Sequence, residues 1–199
     1  ESSTNVLIEN IDFNVGDHGI AIKSGRDQDG WRIGQATENV IIRNCHFARW
    51  AITIGSEMSG GVRNIFIEDC KIDSCRNGIY FKSNLDRGGY FENLNMRRIE
   101  ADGCLWVVIN FRTNYHGYRG GNHPTLFRNI CIEDVTCNRV DSVALMANGL
   151  PEAKLYNITL RNIKVKQAPK AIQMDNVVNL TLDNVEVNGK RSTSAEQTD

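Results

Sequence analysis

Short apolar residues alternate with polar ones along most of the chain, and the alternation restarts seven times behind an asparagine. The copies are Asn5-Val6-Leu7-Ile8-Glu9-Asn10, Asn39-Val40-Ile41-Ile42-Arg43-Asn44, Asn64-Ile65-Phe66-Ile67-Glu68-Asp69 and Asn93-Leu94-Asn95-Met96. Then come Asn129-Ile130-Cys131-Ile132-Glu133-Asp134, Asn157-Ile158-Thr159-Leu160-Arg161-Asn162 and Asn179-Leu180-Thr181-Leu182-Asp183-Asn184. A period of two predicts strands with one face buried. Most copies are followed by a second short run: Ile20-Ala21-Ile22, Ile52-Thr53-Ile54, Ile79-Tyr80-Phe81, Val107-Val108-Ile109, Val143-Ala144-Leu145 and Ile172-Gln173-Met174. Helix signals are nearly absent.

Successive repeat asparagines lie 34, 25, 29, 36, 28 and 22 residues apart. Regular strands joined by loops of varying length are the mark of a solenoid. Leucine-rich horseshoes lack the second strand, and a propeller blade needs four strands per roughly 40 to 45 residues. The pattern therefore predicts an all-β fold, a right-handed parallel β-helix of six to seven coils over residues 1–188. Each strand would pair with its counterpart in the next coil, roughly 4.8 Å away. Six positions after each repeat asparagine stand Ile11, Cys45, Cys70, Ile99, Val135, Ile163 and Val185, expected as one buried ladder that leaves Cys45 and Cys70 as free thiols. The asparagines themselves suit a hydrogen-bonded ladder at a turn. Residues 189–199 are polar and aperiodic and are expected to be a disordered tail. The first repeat begins at Asn5 with no N-terminal cap in view, so either a longer chain or another surface, self-association included, is expected to cover that end.

Composition narrows the function by exclusion. Against 23 Lys plus Arg stand 24 Asp plus Glu, a net charge of −1, which gives no general attraction to nucleic acid or an anionic membrane. No apolar run approaches the roughly 18 residues of a membrane span. The six cysteines contain no C-x2-C pair and the histidines are scattered, so zinc is not expected and the thiols read as small core residues.

Three segments carry a resemblance. Gly16-Asp17-His18-Gly19-Ile20-Ala21-Ile22-Lys23-Ser24-Gly25 looks like the Gly-Asp-Asp-x-Ile-Ala-Ile-Lys-Ser-Gly segment of glycoside hydrolase family 28, the polygalacturonase and rhamnogalacturonase family. Ile54-Gly55-Ser56-Glu57-Met58-Ser59-Gly60-Gly61-Val62-Arg63-Asn64 resembles a second segment almost residue for residue, and Gly78-Ile79-Tyr80-Phe81-Lys82-Ser83-Asn84 with Arg87-Gly88-Gly89 resembles a third. The resemblance implies an inverting hydrolase of pectic, galacturonan-type polysaccharide that uses no metal or cofactor. It also implies secreted or periplasmic residence, although no signal peptide is visible. Inversion needs a protonated acid at the leaving oxygen and a base that activates water across the ring.

The family's residues carry over only in part. Asp17 matches the first Asp of its Asp-Asp pair, the general acid, while His18 stands where the second belongs. Arg49, followed by Trp50, aligns with the family's histidine. Tyr80 replaces the Arg of Arg-x-Lys, whose Lys is kept as Lys82. Tyr115 or Tyr118 corresponds to the family's tyrosine, and the remaining Asp-bearing motif would fall a few residues before Glu1. Asp17 and His18 are thus the catalytic candidates, with Arg49, Trp50, Tyr80, Lys82 and Tyr115 as substrate-binding candidates.

Stacking is expected to place Asp17, Arg49 and Arg76 in one row, Ala21, Thr53 and Tyr80 in another, and Lys23, Gly55 and Lys82 beyond it. Arg and Lys suit a uronate carboxylate, and aromatic faces suit sugar rings. Structural roles remain open for each: Asp17 closing a turn, His18 and Lys82 solvated, Tyr80 packing its ring. Trp31 and the Arg26–Gly30 loop either line the cleft or form a mobile insert. Arg49 beside Asp17 would hold that carboxylate ionised, which is wrong for a general acid. Three readings follow: a hydrolase with altered catalytic residues and poor activity, a pseudo-enzyme that binds acidic polysaccharide, and a structural solenoid.

Overall fold

The structure, a computed structural model, describes residues 1–192. Seven first strands stack in parallel in chain order: Thr4–Glu9, Thr37–Arg43, Val62–Lys82, Tyr90–Arg112, Leu126–Val140, Leu155–Gln167 and Val177–Val187. The second strands form their own parallel ladder, in which Ile20, Ile52, Ile79, Ile109, Leu145 and Ile172 follow one another in register. This is the right-handed parallel β-helix the repeat predicts.

Two expectations change in detail. In the third and fourth coils the two strands merge into single runs, Val62–Lys82 and Tyr90–Arg112, that bend without breaking the ladder. The polar tail begins in order: Lys190–Ser192 turns back antiparallel onto Val185–Val187, while the rest of the tail lies outside the described residues.

The bends explain the asparagines. All seven repeat asparagines have φ between +53° and +58°, the left-handed region in which Asn is the most tolerated residue with a side chain. Each amide then points along the stack, so that Asn39 donates to Asn5 at 3.1 Å, Asn64 to Asn39 at 3.1 Å and Asn93 to Asn64 at 3.2 Å. The chain of bonds continues through Asn129, Asn157 and Asn179. Five positions on, a second left-handed residue closes each strand. Here Arg98 is the unusual member, at φ +53°, and both Asp69 and Glu68 hold its guanidinium.

Between the two bends, alternate side chains point inward. Val40 and Ile42 are buried while Ile41 is exposed, and Ile65 and Ile67 are buried around an exposed Phe66. Within the interior Phe81 stacks on Phe111 at 4.2 Å and tilts against Phe91. The expected ladder at Cys45, Cys70, Ile99, Val135, Ile163 and Val185 is buried, and both thiols are free. Ile11 departs from it with 42% exposure, because no coil covers the first strand among the described residues.

Outward charges alternate in sign from coil to coil. Glu9, Arg43, Glu68, Arg97, Glu133, Arg161 and Asp183 form one register row, with Arg43 bound to Glu9 at 2.7 Å, Arg97 to Glu68 at 2.8 Å and Arg161 to Asp183 at 3.0 Å. Exposed pairs add little stability. Their effect is on register, since a coil slipped by one position would lose every opposite-charge neighbour.

Two outcomes test this account. Asn64→Ala removes two ladder bonds and puts a Cβ without an amide in the left-handed region, and is expected to lower unfolding stability by about 2 kcal/mol in a denaturant titration. Asn64→Gly should cost less, and equal losses would show that the backbone conformation is not the cause. His46 bridges Asp12 at 2.9 Å and Asp73 at 2.8 Å, and these carboxylates raise its pKa above 6.5. A raised histidine stabilises fully below pH 6.5, and that stabilisation is lost as pH climbs through the folded value. The wild-type denaturation midpoint should therefore fall above pH 6.5 more steeply than that of His46→Ala; parallel curves would refute the bridge.

Candidate active site

The site residues come from three successive coils. In the register of the second strands, Ala21, Thr53 and Tyr80 are neighbours, and Gly55 pairs with Lys82. Gly55 is a glycine for steric reasons: at φ +89° a Cβ would run into the Lys82 carbonyl. His18, at the end of the turn that leads into the first of these strands, reaches across both later coils.

His18 is the hub. Its Nδ1 lies 2.7 Å from Thr53 Oγ1, its Nε2 lies 3.4 Å from Lys82 Nζ, and its ring meets Trp50 edge-on at 5.5 Å. Because the Lys82 ammonium can only donate, Nε2 accepts and the ring proton sits on Nδ1, donating to Thr53. Burial lowers the His18 pKa below 6.5, and the charge of Lys82 lowers it further, outweighing the pull of Asp17. The imidazole is thus neutral at neutral pH, with a basic nitrogen facing the cleft.

Lys82 is half-buried, and no carboxylate lies within ion-pair distance of it among the described residues. Burial lowers its pKa from 10.5, opposed by Asp17. The Tyr80 and Tyr115 rings flank it, with centroids 5.5 and 4.9 Å from Nζ. Tyr80 is buried and Tyr115 partly so, and burial raises both phenol pKa values. Of the two tyrosines left open by the sequence, Tyr115 stands at the site, while Tyr118 bonds the Gly121 carbonyl in its own loop.

Asp17 and Arg49 differ from expectation. The Asp17 carboxylate is 87% exposed, accepts the His18 backbone N–H at 2.8 Å, and lies 3.6 Å from His18 Nε2. Arg49 is exposed and forms no ion pair with Asp17 among the described residues, so the expected clamp on that carboxylate is absent. Arg76 does not join Asp17 either; its guanidinium lies over Trp106.

Sequence reasoning missed several participants. Thr53, fully buried, accepts from His18 Nδ1 and holds the ring in place, and only its place in the stacked row pointed to it. Lys23 and Glu57 pair at 2.6 Å, and that contact lowers the Glu57 pKa. Arg87, also buried, binds Asp27 at 2.6 Å. Lys23, Glu57 and Arg87, together with Arg26, Lys82 and Tyr115, line a groove of about 290 Å³ in which four cations face one carboxylate. The Arg26–Gly30 segment is no loose insert. It leads into a helix, Asp27–Ile33, tied down by Arg87 and by Trp31 donating to the Arg87 carbonyl at 2.8 Å. A hollow of about 320 Å³ on the outer face of the first sheet, around Phe66 and Asn95, brings together only ladder residues and no cluster of this kind.

The three motifs thus converge in space as they do in sequence, and the sequence matches the family described as glycosyl hydrolases family 28 over residues 1–184. The chain belongs to this family. It is 31% identical over 179 residues to a probable polygalacturonase of Vitis vinifera, covering 86% of this chain and 36% of that protein. To a polygalacturonase of Ralstonia nicotianae it is 32% identical over 140 residues, 66% of this chain and 24% of that protein. The crystal structure of a hyperthermoactive exopolygalacturonase from Thermotoga maritima superposes with a TM-score of 0.84 at 26% identity, over 96% of this chain and 43% of that one. A family 28 exopolygalacturonase of Yersinia enterocolitica, at 19% identity and a TM-score of 0.67, shares the fold. The chain therefore spans well under half the length of these relatives.

The electrostatics of the hub are testable by NMR. His18 should titrate below pH 6.5, and Lys82→Met, which removes the neighbouring charge, should move its pKa upward. A pKa that stays in place would show that Lys82 does not face the ring.

Proposed function

We propose that this chain carries the substrate face of a glycoside hydrolase directed at pectic, galacturonan-type polysaccharide outside the cytoplasm, with catalytic residues altered from the family pattern. The observation that carries the reading is Lys82, a half-buried cation without a carboxylate partner, set between two tyrosine rings and a neutral histidine. A uronate carboxylate supplies the missing counter-charge, and the rings supply apolar surface for the sugar faces. In this reading neutral His18 is the base that activates water and Asp17 the acid; His18 Nε2 accepts from Lys82 and lies 3.6 Å from Asp17 Oδ1, closer than the roughly 6.5–9.5 Å that inversion asks between its two groups.

One observation favours a second reading, in which the face binds acidic polysaccharide without cutting it. Among the described residues only Asp17 brings a carboxylate to the His18 hub, and that carboxylate is open to solvent, while Glu57 is held by Lys23. Inverting hydrolysis needs two matched groups on opposite faces of the sugar, and losing one member of a cooperating set costs several orders of magnitude in rate.

The test pairs binding with turnover on galacturonan and rhamnogalacturonan oligomers. Binding that weakens with salt is expected, and Lys82→Ala should weaken it about tenfold, near 1.4 kcal/mol. Unchanged affinity would remove Lys82 from the site. New reducing ends, lost in His18→Ala, support the hydrolase; binding without them supports the pseudo-enzyme.

A further inference from the structure

The second strands define a row that continues beyond the His18 hub. Ile20, Ile52, Ile79 and Ile109 stand in register, and three positions before each lie Asp17, Arg49, Arg76 and Trp106. At the fourth coil the register shifts. Cys75 pairs with Cys104 and Asn77 with Val107, so Arg76 alone faces two residues, Leu105 and Trp106. This is a β-bulge, a device that re-aims side chains next to functional sites.

What the bulge presents has no evident work in the fold. Trp106 is 42% exposed and Leu105 56%, whereas neither of the other two tryptophans, Trp31 and Trp50, is as open to solvent. The Arg76 guanidinium sits 3.5 Å from the Trp106 ring centroid, a cation–π pair that holds the indole in place. Neither Arg76 nor Arg49 forms an ion pair among the described residues, although paired charges are the rule on the neighbouring face. Two unpaired cations and a clasped, exposed indole therefore extend the surface on which His18 and Trp50 sit.

We infer that Arg49, Arg76 and Trp106 form a distal subsite for an acidic saccharide chain whose nearer end lies at the Asp17–His18 hub. Three coil steps separate Asp17 from Trp106, roughly 14 Å at the usual strand spacing, room for several sugar rings laid along the helix axis. The arginines meet carboxylates of alternate or successive uronate units, and the outer indole face covers the apolar face of a ring. The inference rests on the reading of the hub as a saccharide site and adds to it a dependence on chain length.

Calorimetric titration with pectic fragments of two and six sugars, from galacturonan and from rhamnogalacturonan, tests this in wild type, Trp106→Ala, Trp106→Phe and Arg76→Gln. Trp106→Ala should weaken binding of the longer fragments about tenfold and of the shorter ones far less. Trp106→Phe should recover most of that loss. Arg76→Gln should flatten the salt dependence for the longer fragments only. Equal unfolding midpoints for all variants exclude misfolding as the source of the effect. Wild-type binding with equal losses at both lengths, or with none, overturns the distal subsite and leaves the hub intact. Failure of wild type to bind any fragment overturns the hub itself, and the subsite with it.

Discussion

Everything in this molecule depends on the register in which one coil sits on the next. Backbone hydrogen bonds between parallel strands fix the spacing at roughly 4.8 Å but leave the register free to slip. The asparagine ladder removes that freedom, because each left-handed asparagine donates to its counterpart in the preceding coil and accepts from its counterpart in the next. The alternating charges on the outer face impose the same constraint from the other side of the strand. With register pinned twice per coil, residues some 30 positions apart become reliable neighbours, which is how a structure with so little helix builds a site.

The hub shows what that precision allows. His18, Thr53 and Lys82 come from three coils and meet within hydrogen-bonding reach. Had the third coil slipped by one residue, Lys82 would turn inward and Phe81 would face the cleft. The groove then works by imbalance: Glu57 is matched to Lys23 and Asp27 to Arg87, whereas Lys82 has no carboxylate partner among the described residues. A half-buried unpaired charge is costly in an empty site, and this cost is relieved when an anion arrives. The same logic keeps His18 neutral, since burial and Lys82 both act against its protonated form.

The substitutions at the family's positions are coherent with one another. Tyr80, where the family resemblance expects an arginine, leaves Lys82 as the single cation between two rings, and an arginine there would push the His18 and Lys82 pKa values lower still. The arginine that stacking is expected to set beside Asp17 forms no ion pair with it among the described residues.

By itself the sequence determined the coil. Alternation with a period of two, restarted behind asparagines, specifies strands and bends because side-chain facing and left-handed backbone are local properties. The stacked rows were legible for the same reason: once copies are aligned, register follows, and Tyr80, Lys82 and Thr53 fall into place. Only the tertiary structure decided where side chains go after leaving the row. It left Arg49 without an ion pair to Asp17 among the described residues, set Tyr115 rather than Tyr118 against Lys82, and closed Lys23 onto Glu57. It also folded Asp27–Ile33 into an anchored helix and opened the bulge that lifts Trp106. These depend on loops, rotamers and a one-residue insertion, for which no periodic pattern exists to read.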